Sequence, residues 1–193
     1  MNACAVAATE QTRLRGLRSA LGQFPTGVTV VTTRSVTGRR IGLTVNSFTS
    51  VSLRPPLVLW CLHLRSASLP DFAAADFFGV NVLSAAQHEL SRRFAGPVED
   101  RFAGVDCTDG RAGVPLLAGA VARFTCRRLR SYHEGDHAVF IGRVEQYDWS
   151  GGEPLVFHSG TYRNCEVVSG PRAARPATAP GSALPCEPKG HRS

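Results

Sequence analysis

An antiparallel β-barrel with a few short helices is the fold class these 193 residues predict. Three observations point to it. Runs rich in β-branched and apolar residues recur at Val28–Thr33, Ile41–Ser47, Leu57–Leu62, Phe77–Leu83, Ala120–Arg130, His137–Asp148 and Pro154–Phe157. Turn clusters separate them, with His133-Glu134-Gly135-Asp136 and Ser150-Gly151-Gly152-Glu153 joining the last three as hairpins. Helical patterns are too sparse for a doubly wound parallel sheet, and no GxGxxG fingerprint is present.

The elements follow in order. Residues 1–12 read as a loose N-terminus. Arg13–Phe24 carries apolar residues at 14, 17, 21 and 24, one face of a helix, which Pro25-Thr26-Gly27 stops. Gly38-Arg39-Arg40 turns the first strand into the second. Pro55-Pro56 cannot donate to a ladder and gives Leu57–Leu62 an extended entry. Leu69–Asp76 reads as a helix. Ser84 with Gln87 three residues on makes a capping-box pattern before Leu90 and Phe94. Gly96–Gly113 reads as irregular. From Ser169 the chain holds five of its 12 prolines and few large apolar residues, so the domain is expected over 13–168 and a disordered, Pro-rich basic tail over 169–193.

The hydrophobic fraction of 43% and charged fraction of 19% suit a globular domain. The formal charge is +7, but residues 21–165 hold 15 Arg against 12 acids and the rest of the excess lies at the ends. That dispersal argues against a basic stripe tracking a nucleic-acid backbone. The best apolar run, Leu57–Leu62, is six residues, where a spanning helix needs about 20. No secretory pattern opens the chain, so a cytoplasmic location is expected. The six cysteines show no CxxC spacing and read as free thiols. HxH and GxSxG are absent, and His133-Glu134-Gly135-Asp136-His137 spells HExxH across a hairpin turn rather than along a helix, which leaves no metal site and no nucleophile elbow to propose.

Three segments stand out chemically. Gly42–Pro56 mixes Thr, Ser and Asn with apolar residues, either a solvent-facing strand and turn or a set of neutral donors for a polar ligand. Arg65, Ser66 and Ser68 precede the helix at Leu69, either as a plain cap or as a phosphate cradle. His137 follows Gly135-Asp136 in a hairpin, either a surface residue or one that orients a substrate.

Taken in order, several motifs add up. They are Phe24-Pro25-Thr26-Gly27-Val28-Thr29-Val30-Val31-Thr32, Gly42–Ser52, Pro55-Pro56-Leu57-Val58, Ser66 with Ser68, Phe78–Leu83, Arg101–Val105, Gly135-Asp136-His137 and Gly142-Arg143-Val144-Glu145. Over about 17–164 the chain resembles the flavin reductase family with an FMN-binding split-barrel fold, the reductase partners of two-component flavin monooxygenases.

The resemblance implies a homodimeric split β-barrel that transfers hydride from NADH or NADPH to FAD or FMN. The reduced flavin then passes by diffusion to a separate monooxygenase. FAD and NADH are the expected pair. The resemblance puts Pro25, Thr26 and Gly27 in a turn near the flavin. Thr44, Val45, Asn46 and Ser47 would line the ring and ribityl chain, and Ser50, Val51 and Ser52 would form the turn that backs the ring. Ser66 and Ser68 fall on the phosphate side with Arg65, joined by Arg101 as a further charge. Asn81 lies on a motif strand, Tyr162 closes the site, and His137 marks where nicotinamide meets flavin. Three alternatives stand beside this reading: a non-catalytic flavin carrier or redox sensor, a nucleic-acid binder, and an oxidase of the pyridoxamine-phosphate type.

Overall fold

The computed structural model describes residues 3–165 and 182–183. Helix α1 (Ala3–Leu21) precedes β1 (Thr26–Gly27), β2 (Thr29–Arg34), β3 (Arg40–Val45), β4 (Thr49–Leu53) and β5 (Pro56–His63). Then come α2 (Leu69–Ala74), β6 (Phe77–Val82), a short 3-10 turn and α3 (His88–Ala95). Next are β7 (Cys107–Asp109), β8 (Pro115–Leu117), β9 (Ala122–Glu134), β10 (His137–Trp149), β11 (Val156–His158), β12 (Thr161–Arg163) and β13 (Ser182–Ala183).

The main sheet runs β3-β2-β6-β9-β10-β5-β4, with β13 beside β10. All its pairings are antiparallel. The two edge strands of that path, β3 and β4, are joined by only residues 46–48. Such a link reaches about 14 Å, whereas the edges of a flat seven-strand path stand about 29 Å apart. The sheet therefore has to curl. The Ser47 hydroxyl ties the link to β5, accepting from Cys61 N–H at 2.9 Å and donating to Cys61 O at 3.2 Å.

Curling makes two apolar spaces. Inside, Trp60 stacks on Phe140 with centroids 4.6 Å apart, while Phe72 and Phe78 meet it edge-on. Outside, Val30, Leu83, Phe94, Phe102, Leu117 and Leu155 form a second cluster that includes α3. Successive side chains alternate faces, so Val31 joins the inner cluster and Val30 the outer. Both faces of β2 are buried, which is why its β-branched run is continuous rather than alternating.

Several motif residues hold this framework. Gly142 leaves room for the Phe78 ring, which a Cβ would strike. Glu145 binds Arg127 at 2.8 Å and Arg111 at 3.0 Å, and both guanidinium groups lie over the Phe77 ring. The Ser84–Gln87 capping pair is present, with Ser84 N–H donating to Gln87 Oε1 at 3.1 Å.

The structure differs from the sequence reading in five places. Helix α1 starts at Ala3 rather than Arg13, because Ala-rich residues 3–8 contain neither Gly nor Pro. Its apolar face is not buried: Leu17 and Leu21 are 54% and 66% exposed, and Phe24, three residues beyond the helix end, is 76% exposed. The Ser50–Ser52 turn is instead strand β4, in which a register shift between Ser50 and Ser52 leaves Val51 as a bulge. The Gly96–Gly113 stretch contains β7. The Ser150–Glu153 turn makes no hairpin, since β11 pairs β1 and β12 in a separate small sheet. Most of the predicted tail, 169–193, lies outside the described residues. Its Ser182–Ala183 pairs with Tyr147 and Gln146.

Candidate functional site

A cleft of about 770 Å³ opens between β3, the 66–71 segment and the loop after α3. Thr44, Ser66, Ser68 and Arg101, far apart in sequence, line it together. Phe94 and Phe102, edge to face at 5.0 Å, also line it. They pack against Gly42, where a Cβ would stand 2.6 Å from Phe94 Cε1. Glycine is required there because two aromatic rings lie against the backbone of β3.

The cleft's polar groups have distinct states. Ser66 N–H donates to His63 O at 2.9 Å, and Ser66 Oγ accepts Ser68 N–H at 3.3 Å. Ser68 stands at the cap of α2 without a side-chain cap bond. Its hydroxyl has no partner among the described residues. Arg101 donates to Gly42 O at 3.0 Å and Gly96 O at 2.9 Å, fixing the loop over β3. Arg39 pairs with Asp71 at 3.7 Å. Among the described residues neither Arg40 nor Arg101 has a carboxylate partner. Neutral hydroxyls beside unpaired guanidinium charge are a donor set that suits phosphate and ribityl groups.

Thr44 Oγ1 donates to Ser91 O at 2.7 Å, and the buried Ser91 hydroxyl meets Tyr162 OH at 2.8 Å. Tyr162 thus reaches the cleft through Ser91 rather than by lining it. Its ring packs on Phe157, whose partner across the small sheet is Thr26. Thr26 Oγ1 is buried with no hydrogen-bond partner among the described residues. Pro25 and Gly27 beside it are exposed.

The other predicted residues divide into outward-facing and structural positions. Asn46, Ser50 and Val51 are exposed and Val45 is buried. Ser47 holds β5 as described, and Ser52 Oγ accepts Arg54 N–H at 3.2 Å. Arg65 is exposed. Asn81 is corrected outright. It is fully buried, its Nδ2 donating to Val30 O at 3.0 Å and its Oδ1 accepting Leu117 N–H at 2.8 Å. A mid-strand amide in a sheet buried on both faces must bond internally, so Asn81 braces β2, β6 and β8 and touches no ligand space.

His137 stands outside the cleft lining, at the start of β10, opposite His63. Gly135, with φ +58°, allows the two-residue turn before it. His137 Nδ1 lies 2.6 Å from Asp136 Oδ1. That hydrogen bond holds the Asp136 carboxyl below the usual carboxylate range. His63 leads by its carbonyl straight into Ser66, so the imidazole pair and the cleft hydroxyls share one short segment. Sequence reasoning missed His63, Arg40, Gly42, Phe94 and Phe102. The Gly42 and Arg101-Phe102 motifs were in view, but His63 gave no signal, because its neighbour is set by strand register.

The Flavin reductase like domain family matches residues 21–166. The FMN reductase (NADH) SmoA of Agrobacterium fabrum is 45% identical over 148 residues, covering 77% of this chain and 84% of that protein. The reductase subunit Stc3 of a Rhizobium meliloti stachydrine N-demethylase is 44% identical over 148 residues, 77% of this chain and 64% of the relative. A further Rhizobium meliloti relative, 47% identical, is covered over 48% of its length, so the chain spans about half to two thirds of these two proteins. Among solved structures, the Streptomyces globisporus NADH:FAD oxidoreductase SgcE6 in complex with NAD and FAD fragments is 42% identical, with a TM-score of 0.72 over 82% of this chain and 93% of that one.

Proposed function

The chain belongs to the Flavin reductase like domain family, and we propose that it is an NAD(P)H:flavin oxidoreductase that reduces free flavin for a separate monooxygenase. The observation that carries the reading is the cleft, where Thr44, Ser66, Ser68 and Arg101 gather hydroxyls and positive charge over an aromatic wall. FAD and NADH are the pair we assign, with FMN and NADPH as the alternatives to be measured. Relatives named as FMN reductase (NADH), NADH-dependent FAD reductase and monooxygenase reductase subunits support it.

Flavin and nicotinamide supply the hydride chemistry between them when bound. The chain's residues bind and align. Ser66, Ser68, Arg40 and Arg101 hold phosphate, and Thr44, itself held by Ser91, lies along the cleft wall. His137 steers the nicotinamide. No acid or nucleophile of the chain is needed for that transfer. The cleft's charged groups, Arg39, Arg40 and Arg101 against Asp71, Glu99 and Asp100, balance in sign, which suits modest binding and release of the reduced flavin. The exposed Leu14, Leu17, Leu21 and Phe24 leave apolar side chains open to a second copy, in keeping with the homodimer we assign. No helix among the described residues is long and apolar enough to cross a membrane, in keeping with the cytoplasmic location we assign.

The test is NADH and NADPH consumption with catalytic amounts of added FAD or FMN, over the four pairings. Turnover with at least one pairing is expected. No turnover with any pairing, but retained flavin binding, would replace the reductase reading with a flavin carrier. His137→Ala should raise the KM for the nicotinamide far more than it weakens flavin binding.

A further inference from the structure

Asp136 stands between two imidazoles. Its Oδ1 lies 2.6 Å from His137 Nδ1 and its Oδ2 lies 3.7 Å from His63 Nε2. The rings of His63 and His137 meet edge to face with centroids 5.1 Å apart. The main chain ties both ends of the group together. Arg65 N–H donates to His63 Nδ1 at 3.0 Å, and Leu64 N–H donates to Asp136 O at 2.9 Å.

These contacts assign the protons. A backbone amide only donates, so His63 Nδ1 accepts, and the neutral ring carries its hydrogen on Nε2, the nitrogen nearer Asp136. A carboxylate only accepts, so neutral His137 carries its hydrogen on Nδ1 and leaves Nε2 with a bare lone pair. Asp136 is 78% exposed, and a short exposed carboxylate held on one side alone can rotate away from its partner. His63 closes the other side. At 3.7 Å the contact is electrostatic rather than a formed hydrogen bond.

We propose that His63 is a positioning residue: through Asp136 it holds His137 in the tautomer that offers Nε2 as a hydrogen-bond acceptor. On the reading that His137 meets the nicotinamide, that acceptor faces a donor, the carboxamide NH₂. The same segment carries Ser66 and Ser68, so His63 also couples the hydroxyl side of the cleft to the hairpin.

Two variants separate this role from simple packing. His63→Asn keeps an acceptor at the δ position for Arg65 N–H but loses the donor toward Asp136. His63→Gln places an amide N–H at the ε position. The first measurement is ring-nitrogen NMR on the unliganded protein, which reports the tautomer of His137 directly. The second is the KM for NADH beside the dissociation constant of flavin. In His63→Asn the His137 signals should move toward a mixture of tautomers. The KM for NADH should rise about three- to fivefold, the scale of one exposed charge contact, with flavin affinity unchanged. His63→Gln should restore both. His137 signals unmoved in His63→Asn, or equal behaviour of the two variants, would overturn the positioning role. A moved tautomer with an unmoved KM upholds that role and overturns the assignment of His137 to the nicotinamide.

Discussion

Replacing Gly42 with Ala tests how the cleft is built. The new Cβ would stand 2.6 Å from Phe94 Cε1, 2.9 Å from Phe94 Cδ1 and 3.1 Å from Phe102 Cζ. Carbon atoms rest about 3.5–4.0 Å apart, so the Phe94 ring has to retreat by about 1 Å. The ring is fully buried and packed edge-on against Phe102, so it can retreat only by displacing that neighbour or by moving into the cleft it lines. Overpacking of this kind costs about 1–3 kcal/mol, whereas Ala in an open strand would gain about 0.5–1 kcal/mol over Gly. A net loss therefore identifies the ring contact. For a chain of this size it lowers the Tm by about 2–4 °C per kcal/mol. Flavin affinity should fall about five- to tenfold, because the displaced rings line the cleft and Arg101 is bonded to Gly42 O. Denaturant melts at fixed protein concentration and fluorescence titration with FAD read the two effects. Adding Phe94→Leu removes the obstructing ring, and the pair should be non-additive by about 1 kcal/mol or more. Unchanged melts and unchanged FAD binding in Gly42→Ala, or strict additivity with Phe94→Leu, would refute the reasoning.

Two other outcomes follow from the same structure. Ser68→Ala should leave the melting temperature nearly unchanged, because the hydroxyl makes no cap bond, while an engaged cap would cost about 1 kcal/mol. Its FAD affinity should drop severalfold in the same titration. Cys126 is buried, and that burial, with Glu145 nearby, pushes its thiol far above the ordinary range. The unfolded thiol ionises near pH ~8.5 and the folded one stays protonated, so above that pH the unfolded state binds fewer protons and stability falls by about 1.4 kcal/mol per unit. Urea melts at pH 8 and pH 10 should show Cys126→Ala losing about 2 kcal/mol less over that interval than the unaltered chain.

What could be read from the sequence depended on where a residue sits along its strand. Apolar and β-branched runs declared β2, β3, β5 and β6 because most of their side chains are buried or half-buried. Strand β4 hid as a Ser/Thr turn because it lies at an edge, mostly exposed, and its pattern is broken by the bulge at Val51. The polar residues sort by the same logic. Thr29, Thr32, Thr33 and Asn81 lie inside strands, fully buried, and each bonds to a carbonyl of the framework. A polar group there is fixed by the sheet and has no capacity left for a ligand. Thr44, His63, Ser66, Ser68 and His137 lie at strand ends or in the turns just beyond, where the ladder stops and a side chain can face outward. Asn81 was misread because its place within the motif looked like a place in the site. His63 was missed for the opposite reason. Nothing local marks it, and only the antiparallel pairing of β5 with β10, 74 positions apart at His63 and His137, sets it against Asp136. Strand ends that register brings together are thus where this curled sheet can place chemistry without breaking its own hydrogen bonds. The cleft and the imidazole pair are two products of that one constraint.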